Sequence, residues 1–201
     1  MTDPERPRPD DDLLGRIRRH GARSLEMGPA RDLLCPFDGG WYRRCVRCDA
    51  AIDGPDQLHY VERALRDGEP MFEFALCQAC VREVGDELSD ESMLRLGSFL
   101  LAHLDVDDRQ ERLEDADDAG PLVDRCLLSR RPRTELQEFQ VWAWCRGPAL
   151  VADAFAPAVV SGSMMEQLAS GLSRQTRDSM DGFIRDHLGL PPELNKLPVL
   201  V

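Results

Sequence analysis

Two pairs of cysteines set the strongest limit on what this chain can fold into. They are Cys45-Val46-Arg47-Cys48 and Cys77-Gln78-Ala79-Cys80, separated by twenty-eight residues. A two-residue gap lets both sulfurs of a pair turn toward one ion, and two such pairs complete a tetrahedral four-thiolate shell of the structural zinc type. Cys45, Cys48, Cys77 and Cys80 are therefore the expected ligands, and zinc the expected metal. Four protein ligands leave no open position for water, so such an ion supports the fold rather than performing chemistry.

The flanking sequence assigns each pair to an element. Leu58 to Ala64 and Met71 to Leu76 read as strands joined through Asp67-Gly68, with Phe72 and Phe74 on one face. The second pair then opens a helix, because Val81, Val84 and Leu88 fall on one stripe. Free amides and the helix dipole at that position favour thiolate. Arg43, Arg44 and Arg47 crowd the first pair, where they can offset the negative charge of a zinc tetrathiolate. Ser89 is an N-cap followed by Asp90 and Glu91 in the first turn. The helix it starts carries Met93, Leu96, Phe99, Leu100, His103 and Leu104 on its apolar side.

A knuckle, then a hairpin, then a cysteine pair at the first turn of a helix resembles the treble-clef class of zinc fingers. The resemblance spans Trp41 to Leu88, less than a quarter of the chain. It implies an α+β unit with a structural metal. The class serves nucleic-acid binding, protein binding and pure support, so it constrains fold more than function.

The remainder divides by composition. Residues 1–40 read as an irregular segment with a short helix from Asp12, residues 41–104 as the zinc-binding unit, and residues 105–120 as a solvated acidic linker. Residues 121–188 read as two strands, Gln137 to Trp144 and Ala149 to Ala154, followed by two helices ending at Gly189. Residues 189–201 form a tail, Leu197-Pro198-Val199-Leu200-Val201, either packed down or awaiting a sheet edge.

The second half matches the first. At a shift of 84 residues Leu88, Ser89, Phe99, His103 and Leu104 meet Leu172, Ser173, Phe183, His187 and Leu188 without a gap. On the same register Cys77 meets Ser161 and Cys80 meets Met164. Upstream, Cys126-Leu127-Leu128-Ser129 has the form of a knuckle with its second cysteine replaced. The expected fold is thus α+β, two small hairpin-plus-two-helix units from an internal duplication, the second without metal. Cys35, Cys126 and Cys145 are left as buried free thiols or, with His59, as an incomplete second site.

The net charge of -12 opposes general attraction to nucleic acid or an anionic membrane, and no apolar run approaches a bilayer span. An odd count of seven cysteines, two pairs at metal spacing and no secretory signal point to a reduced, cytoplasmic protein. No nucleophile elbow, phosphate loop or zincin motif is present. The first functional expectation is a non-catalytic protein-interaction or regulatory adaptor with a protein partner. The second is a nucleic-acid-binding regulator using Arg43, Arg44, Arg47 and Arg130, Arg131, Arg133. The third is a thiol redox sensor.

Overall fold

The computed structural model describes residues 25–27 and 39–189. Within them the chain is α+β, with six strands in one antiparallel sheet: β1 Leu25–Met27, β2 Leu58–Arg66, β3 Glu69–Cys77, β4 Glu138–Arg146, β5 Ala149–Ala152 and β6 Ala158–Ser161. The order is β1-β5-β4-β2-β3, and β6 pairs with β4 as well. The helices are α1 Gln78–Asp86, α2 Asp90–His103, α3 Val106–Asp115, α4 Gly120–Val123, α5 Gly162–Gly171 and α6 Arg174–Phe183. A wider π-helical turn, Ile184–Leu188, continues α6. The short helix expected from Asp12 and the tail from residue 190 onward lie outside the described residues. β1 falls in the segment expected to be irregular.

The centre of the sheet joins the two halves of the sequence. β2 and β4 pair from Leu58 opposite Arg146 to Arg66 opposite Glu138, with Glu62 opposite Trp142 in the middle. The halves therefore share one sheet rather than building separate cores. The second helix of each half also crosses over. Phe183 of α6 packs edge-on against Phe74 of β3 at 5.6 Å, and Ser179 donates to Glu87 beyond α1 at 2.5 Å. In return Leu96, Phe99 and Leu100 of α2 pack on the cluster holding Met164, Met165 and Leu168 of α5. Arg95 then reaches the Gly171 carbonyl at 3.2 Å. The positions of Ser179 and Glu87 differ from those of Arg95 and Gly171 by the same 84 residues.

Where the crossing helices begin, their caps interlock. Ser89 and Ser173 each accept the amide of the residue three positions on, at 3.2 Å, as N-caps do. Their hydroxyls lie 2.8 Å apart. The Ser89 amide donates to Thr176 at 3.1 Å, and the Ser173 amide donates to Ser92 at 2.9 Å. Exchanging residues 84 apart turns one of these bonds into the other.

The two knuckles also match in backbone detail. Cys45 N–H donates to Ala50 and Cys126 N–H donates to Arg131, both at 2.9 Å; Asp49 and Arg130 both sit at φ 59°. Val46 N–H reaches Ala75 of β3, and Leu127 N–H reaches Val159 of β6. One difference separates the halves. Where β3 runs unbroken, its counterpart is split into β5 and β6 by residues 153–157. Asp153 holds that break by accepting the amides of Phe155 and Ala156 at 2.7 and 2.8 Å.

The acidic segment 105–120 is a correction to the sequence expectation, because most of it is helical. Asp105 caps α3 by accepting the Asp108 amide, and Val106, Arg109 and Leu113 form a buried stripe at helical spacing. Arg109, only 4% exposed, donates to the carbonyls of Leu122, Pro157 and Asp153. An arginine in an apolar position hid the stripe.

Candidate metal centre

The fold brings all four expected ligands together. The Sγ atoms of Cys45, Cys48, Cys77 and Cys80 lie within 4.8 Å of one another. Among the described residues this is the one such cluster of potential metal ligands. Cys45 and Cys48 come from the knuckle, while Cys77 ends β3 and N-caps α1, which puts Cys80 in the first helical turn. A Cys–x–x–Cys straddling a helix start presents both sulfurs to one side because backbone direction changes between them.

The dimensions fit a zinc ion. Zinc–sulfur bonds of about 2.3 Å in a tetrahedron require sulfurs about 3.8 Å apart. Cys48 and Cys77 have Sγ atoms 3.8 Å apart. That separation is nearly twice a disulfide bond of about 2.0 Å, and all the described cysteines are free. Cys45 and Cys80 are buried, Cys77 is half-buried and Cys48 is exposed.

The electrostatics fit as well. Burial acts to raise the Cys45 thiol, but the amides of Cys77, Cys48 and Arg47 donate to its sulfur and bring it down to about 7. Burial pushes Cys80 far up, and the neighbouring thiols add to that. Sulfurs this close cannot all ionise by themselves; a dication among them removes that cost. The sequence assigned charge neutralisation to the arginines. Here two of them have carboxylate partners: Arg44 pairs with Asp49 at 2.9 Å, and Arg47 with Glu87 at 2.9 Å and Glu83 at 3.7 Å. The sequence placed free amides at the second pair; the amide donors on the Cys45 sulfur, in the first pair, are the contribution it did not reveal.

The other candidates do not join this site. Cys126 is fully buried; its sulfur accepts the amides of Ser129 and Ser161, both at 3.3 Å, and its thiol donates to the Ser161 hydroxyl at 3.7 Å. These are the positions equivalent to Cys48 and Cys77. Cys145 is fully buried, and that burial pushes its thiol up to about 12. His59, opposite Cys145 in β4, turns Nδ1 to the Gln57 carbonyl. Cys35 lies outside the described residues. His103 stacks on Phe99 at 4.1 Å with Nδ1 at the Phe99 carbonyl, and His187 lies beside Phe183 at 5.1 Å. An open cleft of about 750 Å³ sits elsewhere, over Leu65, Phe139 and Val141, and no cysteine, serine or histidine lines it.

No protein-family model matches the chain, and no curated protein or solved structure matches it either. Among the described residues no helix is long and apolar enough to cross a membrane.

Proposed function

We propose that this chain is a non-catalytic, zinc-stabilised interaction or regulatory adaptor, in which Cys45, Cys48, Cys77 and Cys80 hold one structural zinc ion in a treble-clef-like unit. The observation that carries the proposal is the four-sulfur cluster at tetrahedral spacing. A shell closed by four protein sulfurs leaves no site for substrate or water. The ion then anchors the knuckle and α1 to the central sheet, and binding energy at the metal becomes folding energy.

The second half is a metal-free copy of the first. The symmetric cap bonds, the matching knuckles, the exchanged helices and the β2–β4 register centred on Glu62 and Trp142 support this. So do the substitutions, since serine and methionine at ligand positions cannot hold zinc in its place.

The alternative, a nucleic-acid-binding regulator, would use arginines several of which have partners within the chain. Besides Arg44 and Arg47, Arg130 pairs with Asp105 at 3.4 Å and Arg131 donates to the Glu135 carbonyl at 3.1 Å. One observation favours the thiol-redox alternative: exposed Cys48 lies next to Cys77. Capture from native extract, with and without nuclease, tests the adaptor reading. A nuclease-resistant protein partner is the expected result, while recovery of nucleic acid that disappears with nuclease overturns it.

A further inference from the structure

The four sulfurs of the metal centre are not equally sheltered. Cys45 and Cys80 are 1% and 3% exposed, Cys77 is half-buried and Cys48 is exposed. The Cys45 sulfur takes amides from Cys77, Cys48 and Arg47, whereas the Cys48 sulfur takes one, from Ala50. Donors that stabilise a thiolate also lower its nucleophilicity. Cys48 is therefore the ligand that a reagent in solvent meets, and its sulfur is less restrained than that of Cys45.

Its nearest sulfur partner belongs to a different element. Cys48 closes the knuckle, and Cys77 ends β3 and caps α1. Their Sγ atoms lie 3.8 Å apart. Side-chain rotation that closes this gap by about 1.8 Å brings them to disulfide distance. Such a bond joins the knuckle to the start of α1, the two pieces that the four-cysteine cluster also brings together. Cys126 and Cys145 are fully buried and offer Cys48 no competing partner.

Charge selects the oxidant. The guanidinium groups nearest Cys48 in sequence are already paired, Arg44 with Asp49 and Arg47 with Glu87, both at 2.9 Å. The chain as a whole carries -12. An anionic disulfide in solution is repelled, whereas a small uncharged hydroperoxide is not.

We propose that the metal centre is also an oxidation switch, in which a hydroperoxide joins Cys48 to Cys77 and so releases zinc. The Cys48 thiolate attacks the terminal peroxide oxygen. The O–O bond breaks, Cys48 becomes a sulfenic acid, and the departing alkoxide or hydroxide takes a proton from water. The Cys77 thiolate then attacks the Cys48 sulfur, the S–S bond forms and hydroxide leaves. Each sulfur gives up one electron, and the peroxide takes both. Cys45 and Cys80 remain as two ligands, too few for a closed shell. A thiol reductant reverses the step by exchange and returns the ligands.

The switch rests on the reading that the four cysteines hold zinc. Hydrogen peroxide titrated into the full, zinc-loaded chain tests it, with released zinc read by a chromophoric chelator and disulfides by peptide mapping without reduction. The expected result is release in step with a Cys48–Cys77 disulfide, and recovery of bound zinc when a thiol reductant and zinc are added back. Cys48→His keeps a fourth ligand, because three cysteines and a histidine also make a structural zinc site, but it cannot form the disulfide. Its release should slow at least about tenfold. Cys45→His keeps both switch sulfurs and should still release zinc with the same disulfide. The wild-type map decides even where a substituted chain fails to hold metal. Zinc retained under excess peroxide, or release with a different pair joined, overturns the switch and leaves the zinc reading standing. A chain that carries no zinc before peroxide is added overturns both.

Discussion

Glu62 shows what a single residue contributes at the centre of the shared sheet. Its side chain is fully buried between Phe74 and Trp142 on the neighbouring strands, and Tyr60 donates to Oε2 at 3.1 Å. Burial drives its carboxyl well above the usual range, and the Tyr60 bond only partly opposes that. The folded state thus holds a proton that the unfolded chain releases near the ordinary glutamate value. Below that value both states are protonated and the residue is neutral to stability. As pH rises through it, the unfolded state alone ionises, and stability falls until the folded group titrates. Glu62→Gln should therefore raise the urea midpoint at neutral pH, and the gain over the wild type should vanish toward pH 4. A gain equal at both values would mean that the proton plays no part. Cys77→Ser addresses the metal centre. Elemental analysis should give about one zinc per wild-type chain and several-fold less for the variant. Full metal in the variant, or a coloured iron cluster, sinks the zinc assignment. The convergence of the four cysteines was legible because a two-residue spacing turns both sulfurs of each pair to one side. The amides on the Cys45 sulfur were not, since a backbone donor carries no sequence signature.

Among the elements, the helix caps were the most legible, because Ser89 and Ser173 have a strong local preference and act locally. Their mutual hydrogen bonds depend on how the two halves meet and were invisible in sequence. Ser92→Ala removes the acceptor of the Ser173 amide at a buried position, so it should cost about 1–3 kcal/mol. Thr176→Val should cost a similar amount through the Ser89 amide. Because both belong to one network, the double variant should lose less than the sum of the two. Chemical denaturation of the four proteins measures the coupling, and strict additivity would separate the two bonds. α3 escaped detection for a different reason. Its inward stripe contains Arg109, whose guanidinium replaces apolar packing by bonding three carbonyls. β6 was hidden because Asp153 breaks a strand that the first half runs straight through.

At the scale of the whole molecule, exchanged helices change what loss of metal does. The four-cysteine cluster reaches into α1, against whose C-terminal end α6 of the other half rests through Ser179 and Glu87. Chelation should strip hydrogen-exchange protection from the knuckle, α1 and α6 together, while α2 and α5 keep theirs longer. Loss confined to residues 41–104 would mean that the exchange of helices carries little energy. The origin of the second half is tested in the opposite direction, by giving it back a metal. Cys126 still lies in a backbone cradle like that of Cys45, with amides from Ser129 and Ser161 at 3.3 Å where Cys48 and Cys77 donate in the first half. Ser129, Ser161 and Met164 stand at the positions that correspond to Cys48, Cys77 and Cys80 in the first half. The combined variant Ser129→Cys, Ser161→Cys, Met164→Cys should fold and bind about two zinc ions per chain instead of about one, with cobalt substitution giving twice the tetrahedral thiolate absorbance. Cys126→Ser on that background should return the ratio toward one. A folded triple variant that still binds a single ion would show that the second knuckle resembles the first in outline only, and would remove the duplication as the explanation of the fold.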